Sequence, residues 1–170
     1  ITGLHYDEIT TSRIIRAMPS DGADPQPFRI YDISRPINGV VTIYARHISY
    51  QLSYIPVEPF SASSAAQAMA GLQSHAQEDC PFEFWTDKET EASFSVDVPC
   101  SIRSRLGGVQ GSIIDCYGGE YEFDNYTVKL HQARGEDRNV TIRYGKNLRD
   151  IVQDENIETC ITGILPYWYN

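Results

Sequence analysis

No run in the 170 residues approaches the roughly 20 consecutive apolar residues of a membrane-spanning helix, so no transmembrane helix is expected. Cations are scarce. Lys and Arg number 14 against 23 Asp and Glu, leaving a net charge of −9. A chain of that sign is a poor candidate for gripping nucleic acid or an anionic membrane by bulk electrostatics. Sequence-specific nucleic-acid binding and membrane insertion are therefore not expected.

The metal and nucleophile signatures are missing as well. Cys80, Cys100, Cys116 and Cys160 form no CxxC pair, and their intervals match no zinc finger or ribbon. Apolar and aromatic neighbours, such as Pro81-Phe82 and Tyr117, read them as buried, reduced thiols. His5, His47, His75 and His131 contain no HExxH and no pair at ligand spacing. No GxSxG elbow is present, and His75 with Cys80 lacks an orienting third group. Gly107-Gly108-Val109-Gln110-Gly111 does not end in the Gly-Lys-Ser/Thr of a phosphate loop, and Gly145-Lys146-Asn147 lacks the upstream glycine. No catalytic residue, metal or cofactor is expected. The start, Ile1-Thr2-Gly3, has no basic or apolar leader, and the end, Leu165 to Asn170, has no polar tail. Both read as cut, so a fragment of a longer protein is expected.

What the sequence does contain is a globular composition, 41% hydrophobic and 11% aromatic, of a length suited to one domain or two small ones. Its patterning is α+β and β-rich. Arg13–Met18, Phe28–Ile33 and Val40–Ala45 read as strands, the last two joined by Pro36-Ile37-Asn38-Gly39, in which Asn38 and Gly39 tolerate positive φ. Ser61–Ser64 offer cap hydroxyls to a helix with Ala65, Met69, Leu72 and Ala76 at helical spacing. Phe82–Thr86 and Ala92–Val98 alternate and are predicted to pair across an Asp87–Thr90 turn. Ser101–Leu106 reads as a helical turn or two. Glu120–Asp124 and Thr127–Ala133 form a hairpin around Asn125-Tyr126, and Asn139–Tyr144 a further strand. A short helix at Leu148–Asp154 and a strand at Ile157–Trp168 complete the reading. The segments group as residues 1–60, 61–110 (helix, strand, strand) and 111–170.

Two groups of side chains stand out. Glu120, Glu122 and Asp124 alternate along one strand and so share a face. A glycosidase pair would need two carboxylates across a cleft, one with a raised pKa; a solvated or sheet-edge face is the simpler reading. Tyrosines are plentiful: Tyr44, Tyr50 and Tyr54, then Tyr117, Tyr121 and Tyr126 with Phe123, and at the end Tyr167, Trp168 and Tyr169. Core packing, a protein interface and a sugar-stacking platform all remain open for them. Gly107, Gly108, Gly118 and Gly119 are expected at turns, at least one with positive φ.

Six segments then fall in a recognisable order: Phe28–Tyr31; Ala45-Arg46-His47-Ile48-Ser49-Tyr50-Gln51-Leu52-Ser53; Leu106-Gly107-Gly108 through Gly111-Ser112; Tyr117-Gly118-Gly119-Glu120-Tyr121-Glu122-Phe123-Asp124; Arg143-Tyr144-Gly145-Lys146-Asn147-Leu148; and Pro166-Tyr167-Trp168. Together they resemble the N-terminal region of phage minor structural proteins, the family that includes the tail-associated endopeptidase (prophage endopeptidase tail) proteins of siphophages infecting Gram-positive bacteria. The resemblance spans nearly the whole chain. It implies a baseplate-hub-like fold, with β-barrel-like tube domains flanking a small α+β insert. Residues 1–60 would be part of the first tube domain and 111–170 a segment of the second. It also implies a homotrimer of the full-length protein at the virion tail tip, assembled in the cytoplasm of a Gram-positive host. The partners would be a distal tail protein, a tape measure protein and a tail fibre or receptor-binding protein, and any wall hydrolase would lie downstream. Glu120, Glu122 and Asp124 become candidates for a DNA-repelling lumen, and Tyr167, Trp168 and Tyr169 for an interface. The alternatives are a peptidoglycan hydrolase and a carbohydrate-binding module.

Overall fold

A computed structural model describes residues 8–37, 39–77, 79–135, 139–146, 150 and 152. The chain divides into two units, Ile1–Arg134 and Gly135–Asn170.

The first unit opens with an antiparallel meander of β1 (Ile14–Ala17), β2 (Gln26–Ser34) and β3 (Thr42–His47), in the order β1-β2-β3. The hairpin expected at Pro36–Gly39 joins β2 to β3; Asn38 lies outside the described residues, and a Cβ on Gly39 would sit 2.9 Å from Pro36 Cγ. A bulge between Ile30 and Asp32 shifts the register. Across these three strands only Pro27 and Ile30 are buried, so the meander has almost no core of its own.

The core begins where β3 ends. His47 caps a 3-10 helix, Ile48–Ser53, which drives Ile48 and Leu52 inward. Short strand β4 (Pro56–Val57) follows, then β5 (Phe60–Ser64) and α1 (Ala65–Ser74). Ser64 is extended (φ −143°, ψ 159°), and its hydroxyl accepts from Gln67 N at 3.3 Å, satisfying one of the helix's free N–H groups. The side-chain oxygen of Gln67 reaches back to accept from Ser63 N, so the helix start is fixed from both sides. Ala65, Ala68, Met69 and Leu72 form the buried face. Gly71 lies on it too, because a Cβ there would run into the Phe60 ring. The expected fourth inward residue, Ala76, falls beyond the helix and bridges Val57.

Strands β6 (Glu83–Thr86) and β7 (Glu91–Val96) form where expected but do not pair with each other. β7 pairs antiparallel with β5, and β6 pairs in parallel with β10 (Thr127–His131). The residues between them are held to the end of β10 instead of turning back. Thr86 Oγ1 donates to Leu130 O at 2.7 Å, Gln132 N donates to Asp87 Oδ1 at 2.6 Å, and buried Lys88 donates to Gln132 Oε1 at 3.1 Å. β8 (Cys100–Ser101) pairs with β4 and leads into α2 (Ile102–Leu106). A short helix not expected from the sequence, α3 (Ile113–Tyr117), buries Ile113 and Tyr117 and ends at Gly118. Strand β9 (Glu120–Asp124) then forms the expected hairpin with β10, giving the sheet β6-β10-β9.

One cluster, from Ile48 and Leu52 through Met69, Leu72, Phe82, Phe94 and Ile102 to Tyr117, Val128 and Leu130, fills the middle of the unit. It draws on residues from each of the segments 1–60, 61–110 and 111–170. The fold is mixed α+β and strand-rich, and none of the sheets of the described residues closes into a barrel. Barrel-like tube domains are therefore not seen here: the strands divide among two three-stranded and two two-stranded sheets. In the second unit, residues 139–143 are not a strand, contrary to the sequence pattern, and Tyr144 alone enters a β-bridge. Asn139 and Gly145 adopt positive φ (51° and 76°), which breaks an extended run at both ends. Of the expected helix Leu148–Asp154 only 150 and 152 are described, and neither is helical. The expected strand Ile157–Trp168 lies outside the described residues, as do Cys160, Tyr167, Trp168 and Tyr169.

Candidate functional site

The hairpin register determines which side chains share the outer face of the β6-β10-β9 sheet. Asp124 opposes Thr127, Glu122 opposes Lys129, and Glu120 opposes His131; Lys129 in turn opposes Trp85 of β6. The inner face of the same strands carries Val128 and Leu130, which are fully buried. This is period-two alternation with one face in the core and one in solvent.

The three acids are not free carboxylates. Glu122 Oε2 lies 2.7 Å from His131 Nε2, and Lys129 Nζ lies 3.5 Å from Glu122 Oε1 and 3.2 Å from Asp124 Oδ2. Arg134 stands 3.9 Å from Glu122, and its backbone N donates to Glu120 Oε2 at 2.7 Å. Burial acts to raise the Glu122 carboxyl, but the His131 hydrogen bond and the charges of Lys129 and Arg134 outweigh it and hold the group below its ordinary value. Asp124 is likewise held low, first by the Gln26 amide and then by Lys129. The ammonium of Lys129 is held above its ordinary value chiefly by its bond to Asp124. Both carboxylates thus stay ionised at neutral pH, and neither is raised as the proton donor of a glycosidase pair must be. Lys129 is one cation between two carboxylates, so it offsets their charge only in part.

Gln26 makes this corner a junction. Its Nε2 donates to Asp124 Oδ1 at 3.1 Å, and its Oε1 accepts from Asn125 N at 2.6 Å. The same oxygen lies 3.4 Å from His47 Nε2. Ser49 N donates to His47 Nδ1 at 3.3 Å, which assigns the proton to Nε2, facing Gln26. Burial first, and then the charge of Arg103, lower the His47 pKa against a weaker pull from Asp124. Asn125 turns the hairpin at φ 53°, a conformation asparagine tolerates better than most residues.

Several other singled-out residues serve the fold. Gly118 (φ 64°) caps α3, and Gly119 (φ 100°) is more constrained still: a Cβ there would lie 2.6 Å from His131 O. Gly107 is extended, with φ −174°, and Gly108 has φ 89°. Tyr117 OH donates to Ala92 O, and Tyr121 OH donates to Leu106 O, both at 3.0 Å. Burial pushes the Tyr121 phenol well above its ordinary range. The ring of His75 stacks on Phe60 at 4.7 Å, and its Nδ1 faces Gly71 O and Ser74 Oγ. Cys80 is half-buried and its thiol is pushed up, chiefly by burial, which disfavours the nucleophilic thiolate. Cys100 and Cys116 are also free and half-buried, packed against the core's edge. Among the described residues, no group of three His, Cys, Asp or Glu is arranged to hold a metal ion.

Sequence reasoning found the acids of β9 but not their partners. Trp85, Lys129, His131 and Gln26 were not singled out together. The Asn125-Tyr126 turn carries the signal for two of them: setting Asp124 opposite Thr127 places Lys129 and His131 opposite Glu122 and Glu120. Gln26 has no such local signal. Comparison of the chain with protein-family models, curated proteins and solved structures returned no match.

Proposed function

We propose that the chain is a structural component of a phage or prophage tail tip, a hub or tail-associated protein that closes the distal tail tube and anchors downstream host-recognition or wall-degrading parts. The observation that carries this is the ordered set of six segments between Phe28 and Trp168. Support comes from how the described segments are used. Ile48 and Leu52 are buried in the 3-10 helix, Leu106 and Tyr117 lie in the core, and Gly118-Gly119 turn α3 into β9. These side chains of the resemblance are given over to packing and turns, while Tyr31 and Tyr50 are exposed. On this reading the full-length protein is a homotrimer in contact with a distal tail protein, a tape measure protein and a tail fibre or receptor-binding protein. It resides at the virion tail tip after assembly in a Gram-positive host, and catalysis belongs to parts downstream of this chain.

Gold-labelled antibody against the chain tests the proposal on particles released by the phage or prophage that encodes it. Label at the tail tip is expected; particles without label, or labelled on the capsid, overturn the reading. Clearing of Gram-positive cell walls by this chain in a zymogram, beyond an unrelated control protein, would replace it with the hydrolase alternative.

A further inference from the structure

The outer face of the β1-β2-β3 meander carries an arrangement that the fold does not explain. Arg29 of β2 and Arg46 of β3 are direct cross-strand partners. Like charges in that position are destabilising, and opposite charges are the usual choice. A third guanidinium, that of Arg103 from α2, lies against Tyr50, a ring it shares with Arg46. Arg46 lies over the Tyr31 ring at 4.6 Å and within 5.9 Å of the Tyr50 ring centre, which Arg103 approaches to 4.4 Å. Among the described residues none of the three makes an ion pair. Asp32 lies opposite Tyr44, with Ile30 and Ala45 paired between it and the arginines.

Neutral groups position them instead. Arg29 Nη1 donates to Ser12 O at 2.9 Å. With the Gln51 amide oxygen turned toward the guanidinium, Arg29 Nε and Nη2 donate to it. Arg103 Nη1 reaches Ser49 Oγ at 3.5 Å. Tyr31, Tyr50 and Tyr54 stand around the cations, all exposed, Tyr54 at 79%. Between strand face and 3-10 helix lies a notch of about 120 Å³, lined by Arg29 and Arg46 with these tyrosines but not by Arg103; it is too small for most cofactors and of a size for one or two side chains.

We propose that this face is a docking surface for a carboxylate-bearing polypeptide segment of a partner protein, whose Asp or Glu side chains meet Arg29 and Arg46 in the notch and Arg103 beside Tyr50 while its backbone packs on the tyrosines. Charge complementarity selects the occupant: three cations without counter-ions among the described residues, two of them forced together across a ladder, in a chain of net charge −9. Arg and Tyr are the side chains that most often dominate protein interfaces, and guanidinium forks match carboxylates bidentately. A nucleic acid is disfavoured because its phosphates would meet the chain's negative charge along their whole length, whereas an acidic segment needs only a few carboxylates inside the patch. The inference stands independently of the tail-tip reading.

Fluorescence anisotropy with a labelled oligoglutamate peptide, at about 50 mM salt, tests it; an oligothymidylate of equal charge is the second probe. The native chain is expected to bind the peptide and not the oligonucleotide. Arg46→Glu is expected to weaken peptide binding by about tenfold or more, because it removes a charged fork and places a carboxylate in its site. In the same variant a cross-strand repulsion becomes an attraction with Arg29, so its thermal midpoint should not fall below that of the native chain. Arg103→Gln provides a second variant that leaves the strand ladder intact and should also weaken the peptide. No peptide binding by the native chain overturns the proposal. So does binding of the oligonucleotide at least as tight as the peptide, or undiminished peptide binding by both variants. A midpoint lowered in Arg46→Glu together with unchanged peptide affinity would assign Arg46 to the fold alone.

Discussion

Residues 48–131 and the meander at residues 14–47 solve the same problem in opposite ways. The first region gathers two small sheets, a three-stranded sheet, three α-helices and a 3-10 helix around one apolar cluster that includes Phe82, Phe94, Met69 and Leu72. The meander has a regular ladder but buries only Pro27 and Ile30 from its strands, and leaves Ile14, Tyr31 and Tyr44 about half exposed. Its attachment to the rest runs largely through polar groups, above all Gln26 reaching Asp124 and Asn125. Apolar burial is the dominant favourable term in folding, while a hydrogen bond contributes about 1 kcal/mol net. The core region therefore supports itself. The meander is presented by it, with Tyr31 and Tyr44 of its outer face exposed.

The largest expected effect lies in the core. Phe94 is 1% exposed and touches both Phe60 and Tyr117, so Phe94→Ala should cost about 3–5 kcal/mol in chemical denaturation. A cost below about 1 kcal/mol would mean that the cluster is not what holds the region. Next comes Gly119→Ala. At φ 100° and with His131 O in the way of a Cβ, it should cost about 2 kcal/mol, and more than the same change at exposed Gly108. Gln26→Ala sharpens the contrast directly. It removes the bonds to Asp124 and Asn125 and should cost about 1–2 kcal/mol. Loosening should appear in the meander and not in α1 or β7.

The smallest effect concerns acid. His47 is held below its ordinary 6.5, so the unfolded chain binds the proton first; its contribution is complete above 6.5 and is lost as pH falls through the lowered folded value. Glu122 and Asp124, held below 4.5 and 3.8, contribute above those values and lose their contribution only in stronger acid. Stability measured between pH 6.5 and 4.5 should thus decline in the native chain and decline less in His47→Asn. Identical slopes for the two proteins would remove His47 as the source.

How much of this was legible in the sequence depended on how local the signal was. Helix α1, with Ser64 before its apolar face, and the β9–β10 hairpin, with its two-residue turn, could be read because cap, turn and period lie within a few residues of each other. The β6–β7 hairpin could not be judged, since two alternating strands and a four-residue connection fit a hairpin equally well. What decides against it is the bonding of Thr86, Asp87 and Lys88 to a strand more than forty residues away. Helix α3 is only five residues long, and its sole signals were the four-residue spacing of Ile113 and Tyr117 and the glycines that follow. The arginine pair was hidden by register. A two-residue loop at Asn38-Gly39 sets Ile37 opposite Val40 and would place Arg29 opposite Ile48. The longer connection and the bulge at Ile30/Asp32 bring Arg46 there instead.

Amide hydrogen exchange followed by mass spectrometry tests the contrast between the two regions most directly. In the isolated chain, amides of β5, α1, β7 and β10 should exchange only through global unfolding. Those of β1, β2 and β3 should exchange faster, through local opening, and gain protection when the oligoglutamate peptide is added. Equal protection of meander and core in the isolated chain, with no change on adding the peptide, would contradict both the division of labour and the docking face.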